Sequence, residues 1–132
     1  MNYLFDASSI FKAIKENRVA ILSGNLTLEL ARYELGNTLW KQTLREHLNR
    51  EELRELTTLT TQVLNLMRLQ TIAGHEEEVL ETALELNLTF YDASYLYSAK
   101  QNNLPFVTED TQLRKRAEPA HTVQNLDEAQ KN

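Results

Sequence analysis

Short apolar runs alternate along the chain with longer stretches whose apolar residues recur every three or four positions, which predicts strands interleaved with helices. Met1–Phe5, apolar from Tyr3 to Phe5, stops at Asp6 and reads as a short buried strand. Ser8 or Ser9 is placed to cap a helix reaching about Asn17. Val19–Leu22 is a brief apolar run halted by Ser23-Gly24-Asn25. Thr27 is placed to cap a long helix that carries Leu28, Ala31, Leu35 and Leu39 at helical spacing, with Trp40 read as a core residue. Asn49-x-x-Glu52 is a capping-box pattern and opens a further helix with Leu53, Leu56, Thr60, Val63 and Met67 as its apolar stripe. These two helices are expected to pair as an antiparallel hairpin.

The second half repeats the alternation. Leu69–Ala73 reads as a strand ending at Gly74, and His75–Asn87 as a helix whose acidic first turn, Glu76-Glu77-Glu78, is a solvated face. Thr89 caps a helix to about Asn102, and Pro105–Thr108 is a strand ending just before Asp110. Thr111–Glu118 is a short basic helix closed by Pro119, and His121–Val123 is a last strand. Strands alternating with helices imply a parallel sheet covered on both faces, an α/β sandwich. No repeat, low-complexity tract or linker interrupts it, so residues 1–126 are expected to form one domain. Asp127–Asn132 is expected to be a polar tail that frays.

Composition narrows the chemistry. The 132 residues suit one domain with a full core, and 42% hydrophobic with 25% charged residues is ordinary for a globular protein. There is no cysteine, and His47, His75 and His121 lack zinc-ligand spacing, so any metal is held by oxygen, which suits Mg²⁺ or Mn²⁺. No apolar run approaches the roughly 18–20 residues of a membrane span, and the apolar N-terminal stretch is too short for a signal peptide. A cytoplasmic protein is expected. The net charge of −5 argues against coating nucleic acid by charge alone, but not against a nuclease, whose acidic site adds negative charge by itself.

In open parallel sheets, sites lie beyond the carboxyl ends of the strands. Asp6 and Asp110 fall where a strand gives way to a helix. Asp92 lies in the first turn of its helix, where the dipole favours a carboxylate. Glu34 shares one helix face with Asn37 and Lys41. Carboxylates brought together repel unless cations neutralise them. Such a site is a hard-cation cage, and its natural chemistry is phosphodiester hydrolysis. Plainer roles stand beside this one: Asp6 and Asp110 suit helix N-caps, Asp92 suits a capping pair with Thr89, and Glu34 suits a solvated helix face.

Four segments carry a resemblance. Leu4-Phe5-Asp6-Ala7-Ser8-Ser9-Ile10 looks like the opening strand of PIN domains. Tyr33-Glu34-Leu35-Gly36-Asn37-Thr38-Leu39-Trp40-Lys41 is similar to their second motif, Thr89-Phe90-Tyr91-Asp92-Ala93-Ser94-Tyr95 to the third, and Phe106-Val107-Thr108-Glu109-Asp110-Thr111-Gln112-Leu113 to the fourth. The set occurs in order over residues 4 to 113 and most resembles the VapC toxins of VapBC toxin–antitoxin pairs. The resemblance implies a PIN-like three-layer α/β/α sandwich and a Mg²⁺- or Mn²⁺-dependent endoribonuclease. Asp6, Glu34, Asp92 and Asp110 are then both metal ligands and catalytic residues. It also implies homodimers, or a heterotetramer or larger assembly with a VapB-like antitoxin.

Ser8 and Thr108 are candidates to hydrogen-bond a carboxylate or metal-bound water, and Asn37 to orient Glu34 or contact substrate. Lys41, Arg114, Lys115 and Arg116 are candidates to track an RNA backbone. One departure is Gln112, where many relatives carry a further Asp, and it keeps open a PIN-like binding module with a weak or lost metal site. A phosphoacceptor receiver lacks its paired N-terminal acids here, and an Asp-x-Asp phosphatase fails because Asp6 is followed by Ala7-Ser8.

Overall fold

The computed structural model describes residues 1–131. Strand β1 (Leu4–Phe5) leads into helix α1 (Ala7–Lys15), and a 3₁₀ turn (Val19–Leu22) leads to β2 (Leu26–Leu28). Helices α2 (Leu30–Glu46) and α3 (Arg50–Leu66) follow, then β3 (Arg68–Gln70), α4 (Glu76–Leu86) and α5 (Phe90–Gln101). The chain closes with β4 (Phe106–Val107), α6 (Thr111–Ala117), β5 (Val123–Gln124) and α7 (Leu126–Gln130). The five strands form one parallel sheet in the order β3-β2-β1-β4-β5.

The parallel sheet between helical layers agrees with the sequence reading. Leu4, Phe5, Leu26, Phe106 and Val107 are wholly buried, as expected of strands covered on both faces. Helix α5 packs on β1 and β4 and against α4, while α1 packs against α2 and α7. Ala93, Ser94, Ser98 and Ala99 keep the surface of α5 low, so it lies close to the sheet. Helices α2 and α3 pack on each other, and α3 opens with the predicted capping box of Asn49 and Glu52. Among the described residues no helix is long and apolar enough to cross a membrane.

Four local expectations are corrected. The cap of α1 is Asp6, whose carboxylate accepts from the Ser9 amide at 2.9 Å, and not Ser8 or Ser9. Thr27 does not cap α2 but sits inside β2. It is fully buried, and its hydroxyl donates to the Phe5 carbonyl at 2.7 Å, which satisfies the end of β1. Trp40 is 58% exposed and not a core residue. Of the expected frayed tail Asp127–Asn132, residues 127–130 belong to helix α7, which has an Asn125–Glu128 capping box and buries Leu126 and Ala129 in the core, and Asn132 lies outside the described residues. The domain therefore continues through residues that the sequence reading set aside.

Candidate active site

The strand order reverses direction at the β1–β4 pair, the place where an open parallel sheet leaves a crevice beyond its carboxyl edge. The register Phe5↔Val107 puts the next residues, Asp6 and Thr108, side by side on that edge. Asp6 is 5% exposed. Its Oδ1 accepts from Ser8 Oγ at 2.7 Å and from the Ser9 amide, and its Oδ2 accepts from Thr108 Oγ1. Ser8 Oγ in turn accepts from the Glu109 amide at 3.0 Å, and Thr108 Oγ1 from the Asp110 amide at 3.1 Å. Burial pushes the Asp6 carboxyl up to about 6, although the bonds from Thr108, Ser8 and Ser9 pull it down.

The other three acids arrive from separate elements. Glu34, half-buried in mid-α2, accepts at Oε1 from Tyr95 Oη at 2.6 Å. Asp92 lies in the first turn of α5, whose cap is Thr89. Asp110 caps α6, its Oδ1 accepting from the Gln112 and Leu113 amides, both at 3.0 Å. Glu34 and Asp92 are held above the usual carboxylate range. In each the largest cause is burial; for Glu34 the Tyr95 hydrogen bond opposes it and the Asp92 charge adds to it, and for Asp92 the Asp110 charge adds to it while the Thr89 hydrogen bond opposes it.

All four acids line one cleft of about 480 Å³, together with Ser8, Asn37, Tyr33 and Tyr91. Among the described residues no Lys or Arg lines it. Its donor set is carboxylate, hydroxyl and amide oxygen, with no basic group to balance the charge. That fits a hard divalent cation such as Mg²⁺ or Mn²⁺. Among the described residues no three acids are drawn together tightly enough to make a finished metal cage.

The remaining predicted residues divide. Ser8 and Thr108 both bond Asp6. Asn37 lines the cleft one turn beyond Glu34, whereas Lys41, a turn further, is exposed and outside the lining. Arg114 is engaged in a two-pronged pair with Glu128 of α7, and Arg116 donates to the Asn87 carbonyl at 2.9 Å. Lys115 is exposed on α6. None of the three lines the cleft. Gln112 is also outside it, its amide turned toward Arg116. Glu109 faces away, bonded to Lys12 and to the Leu126 amide.

Sequence reasoning missed Tyr95. It is 1% exposed, its ring stacked on Phe106, and it lines the cleft. Burial and the adjacent Glu34 hold its phenol far above its usual range, so it stays a donor. The signal was its place in the third motif, three residues after Asp92 and one turn along the same helix face.

Residues 1–119 match the model of the PIN domain. Exonuclease VapC9 of Pyrobaculum aerophilum is 35% identical over 134 residues, covering 96% of this chain and 93% of that protein. Ribonuclease VapC3 of the same organism is 30% identical over 87 residues, 66% of each chain. The crystal structure of PAE2754, also from Pyrobaculum aerophilum, superposes with a TM-score of 0.80 at 29% identity, covering 98% of this chain and 92% of that one. A family match over nearly the whole chain, relatives named VapC and a shared fold around the acidic crevice lead to one conclusion: the chain belongs to the PIN-domain family.

Proposed function

We propose that the protein is a Mg²⁺- or Mn²⁺-dependent ribonuclease that hydrolyses internal phosphodiester bonds, the toxin of a VapBC-type pair. The observation that carries this reading is the cleft at the sheet's switch point, lined by four carboxylates and by no basic side chain among the described residues. Relatives named as nucleases of the VapC series support it.

Asp6, Glu34, Asp92 and Asp110 would hold the cation. When bound, such a cation supplies Lewis-acid activation of water and of the phosphoryl group. The chain's own part is to orient the acids. Ser8, Ser9 and Thr108 fix the rotamer of Asp6, and Tyr95 fixes Glu34. The first turn of α5 favours the charge on Asp92. Asp110 gives Oδ1 to its helix, and Oδ2 takes neither of those two bonds. Asn37 reaches the same cleft and is placed to contact the substrate. By the same reading, Lys41 and Lys115 are exposed cations outside the cleft, free to meet a longer RNA.

A VapB-like antitoxin and self-association complete the proposal. A basic antitoxin side chain entering the cleft would neutralise the acids in place of the cation, and Arg suits this best through its planar fork.

The test is a circular single-stranded RNA incubated with purified protein. Cutting of the circle with Mg²⁺ or Mn²⁺, stopped by chelator, is the expected result. Degradation of linear RNA with the circle intact would make the enzyme an exonuclease. No cleavage of either RNA would leave a PIN-like binding module, and cleavage undiminished in chelator would overturn the metal dependence.

A further inference from the structure

A second concavity, of about 210 Å³, lies beyond the carboxyl ends of β2 and β3. Leu28, Leu30, Ile72, Phe90 and Tyr91 form its apolar walls. Leu30 and Tyr91 also line the acidic cleft, so the two depressions adjoin through shared side chains. Tyr91 is 59% exposed and Phe90 37%, a large aromatic surface left in water next to a charged site. Three of the polar side chains around this pocket are already committed. Ser94 Oγ donates to the Phe90 carbonyl at 2.7 Å, Gln70 and Asn102 bond each other through their amides, and Glu29 pairs with Arg32 at 2.6 Å. What remains, besides the Thr71 and Tyr91 hydroxyls, is apolar wall with little hydrogen-bonding pattern to read.

The geometry points to one occupant: an unpaired nucleobase of the substrate RNA, the one flanking the phosphate held at the acids, stacked on Tyr91. This rests on the ribonuclease reading above. A ligand held through its backbone at four carboxylates and a cation is a polyanion, and the flat apolar parts of an RNA are its bases. Every base offers a π-face, so stacking tolerates different sequences. Because its walls are mostly apolar, the pocket selects for stacking area, purine over pyrimidine, and not for a base-pairing edge. A base inside a helix cannot enter it, so the protein should prefer single strands, loops and bulges.

The experiment steps 2-aminopurine along a short single-stranded RNA and records its fluorescence on mixing with the metal-loaded protein, before turnover. Tyr91 is exposed, so Tyr91→Ala and Tyr91→Phe are expected to fold normally, which circular dichroism and melting check. The parent should quench the probe at one position beside the cut. Tyr91→Phe keeps the stacking face and should behave as the parent. Tyr91→Ala should weaken quenching and raise KM by about tenfold, the scale of one lost base stack, while kcat changes less. Cleavage without quenching at any position, or quenching and KM unchanged by Tyr91→Ala, overturns the pocket and leaves the nuclease intact. That outcome is also the one expected if the pocket receives an apolar side chain of a protein partner. Quenching that depends on Tyr91 in the absence of cleavage upholds the pocket and sinks the nuclease reading, whereas neither signal overturns both.

Discussion

Asp6→Asn should make the metal-free protein more stable, not less. The Asp6 carboxyl is 5% exposed and titrates at about 6, against 3.8 in the open chain, because burial disfavours its charge. That rise corresponds to about 3 kcal/mol between the two protonation states. A raised carboxyl means that the native state binds the proton more tightly than the unfolded one, so stability falls as pH rises from about 4 to 6. The penalty is complete above about pH 6 and absent below about 3.8. Asparagine removes the charge and keeps an oxygen for the Ser9 amide, so the cap of α1 survives. Its amide nitrogen would face Thr108 Oγ1, which must turn from donor to acceptor, at a cost of about 1 kcal/mol. The net gain at pH 7 is therefore about 2 kcal/mol, which raises Tm by roughly 5–10 °C in a domain of this size. Urea unfolding in chelator between pH 4.5 and 7.5 measures it. The advantage should shrink as pH falls through 6, and saturating Mn²⁺ should reverse it by stabilising the parent more. An Asp6→Asn protein less stable than the parent at pH 7 in chelator, or an advantage that does not change with pH, would refute the reasoning.

Tyr95→Phe removes the donor on Glu34 and should raise that carboxyl further, since burial and Asp92 already push it up. Cleavage at limiting metal should drop on the order of tenfold, and the deficit should narrow at higher pH or higher metal concentration; a uniform loss at every pH would point to a packing defect. Asp110→Asn keeps a cap for the Gln112 and Leu113 amides and should change stability little while cutting activity, whereas Asp110→Ala should lose both activity and about 1 kcal/mol, as paired melting and cleavage assays would reveal. Leu126→Ala opens a hole where α7 meets the core and should cost about 3 kcal/mol in urea unfolding; no change would mean that residues 126–130 carry no packing.

How much of this was legible depended on how local each signal was. Asp6, Asp92 and Asp110 sit at strand ends and first turns, where a few neighbouring residues decide the geometry, and their shared edge follows from parallel topology alone. Strand β2 was not legible. Leu26-Thr27-Leu28 abuts the apolar pattern of α2, and only pairing with β1 and β3, distant in sequence, makes it a strand. Trp40 belongs to a helix with weak separation of polar and apolar sides, so tertiary context decided its exposure. Helix α7 did leave a trace, since Asn125-x-x-Glu128 is a capping box, but its acidic first turn read as a solvated tail. Arg114 looked like part of a basic track because its partner, Glu128, lies in that overlooked helix. Tyr95 is a core residue, and its hydroxyl has a second task only because the fold brings Glu34 to it from 61 residues away.

The central claim is that these four acids form one divalent-cation site. Calorimetric titration of the metal-free protein with Mn²⁺ tests it without requiring a substrate. Binding should be saturable in the parent and weakened at least tenfold in Glu34→Gln and in Asp92→Asn, with circular dichroism unchanged. A parent that binds no Mn²⁺, or variants that bind it as tightly as the parent, would contradict the claim.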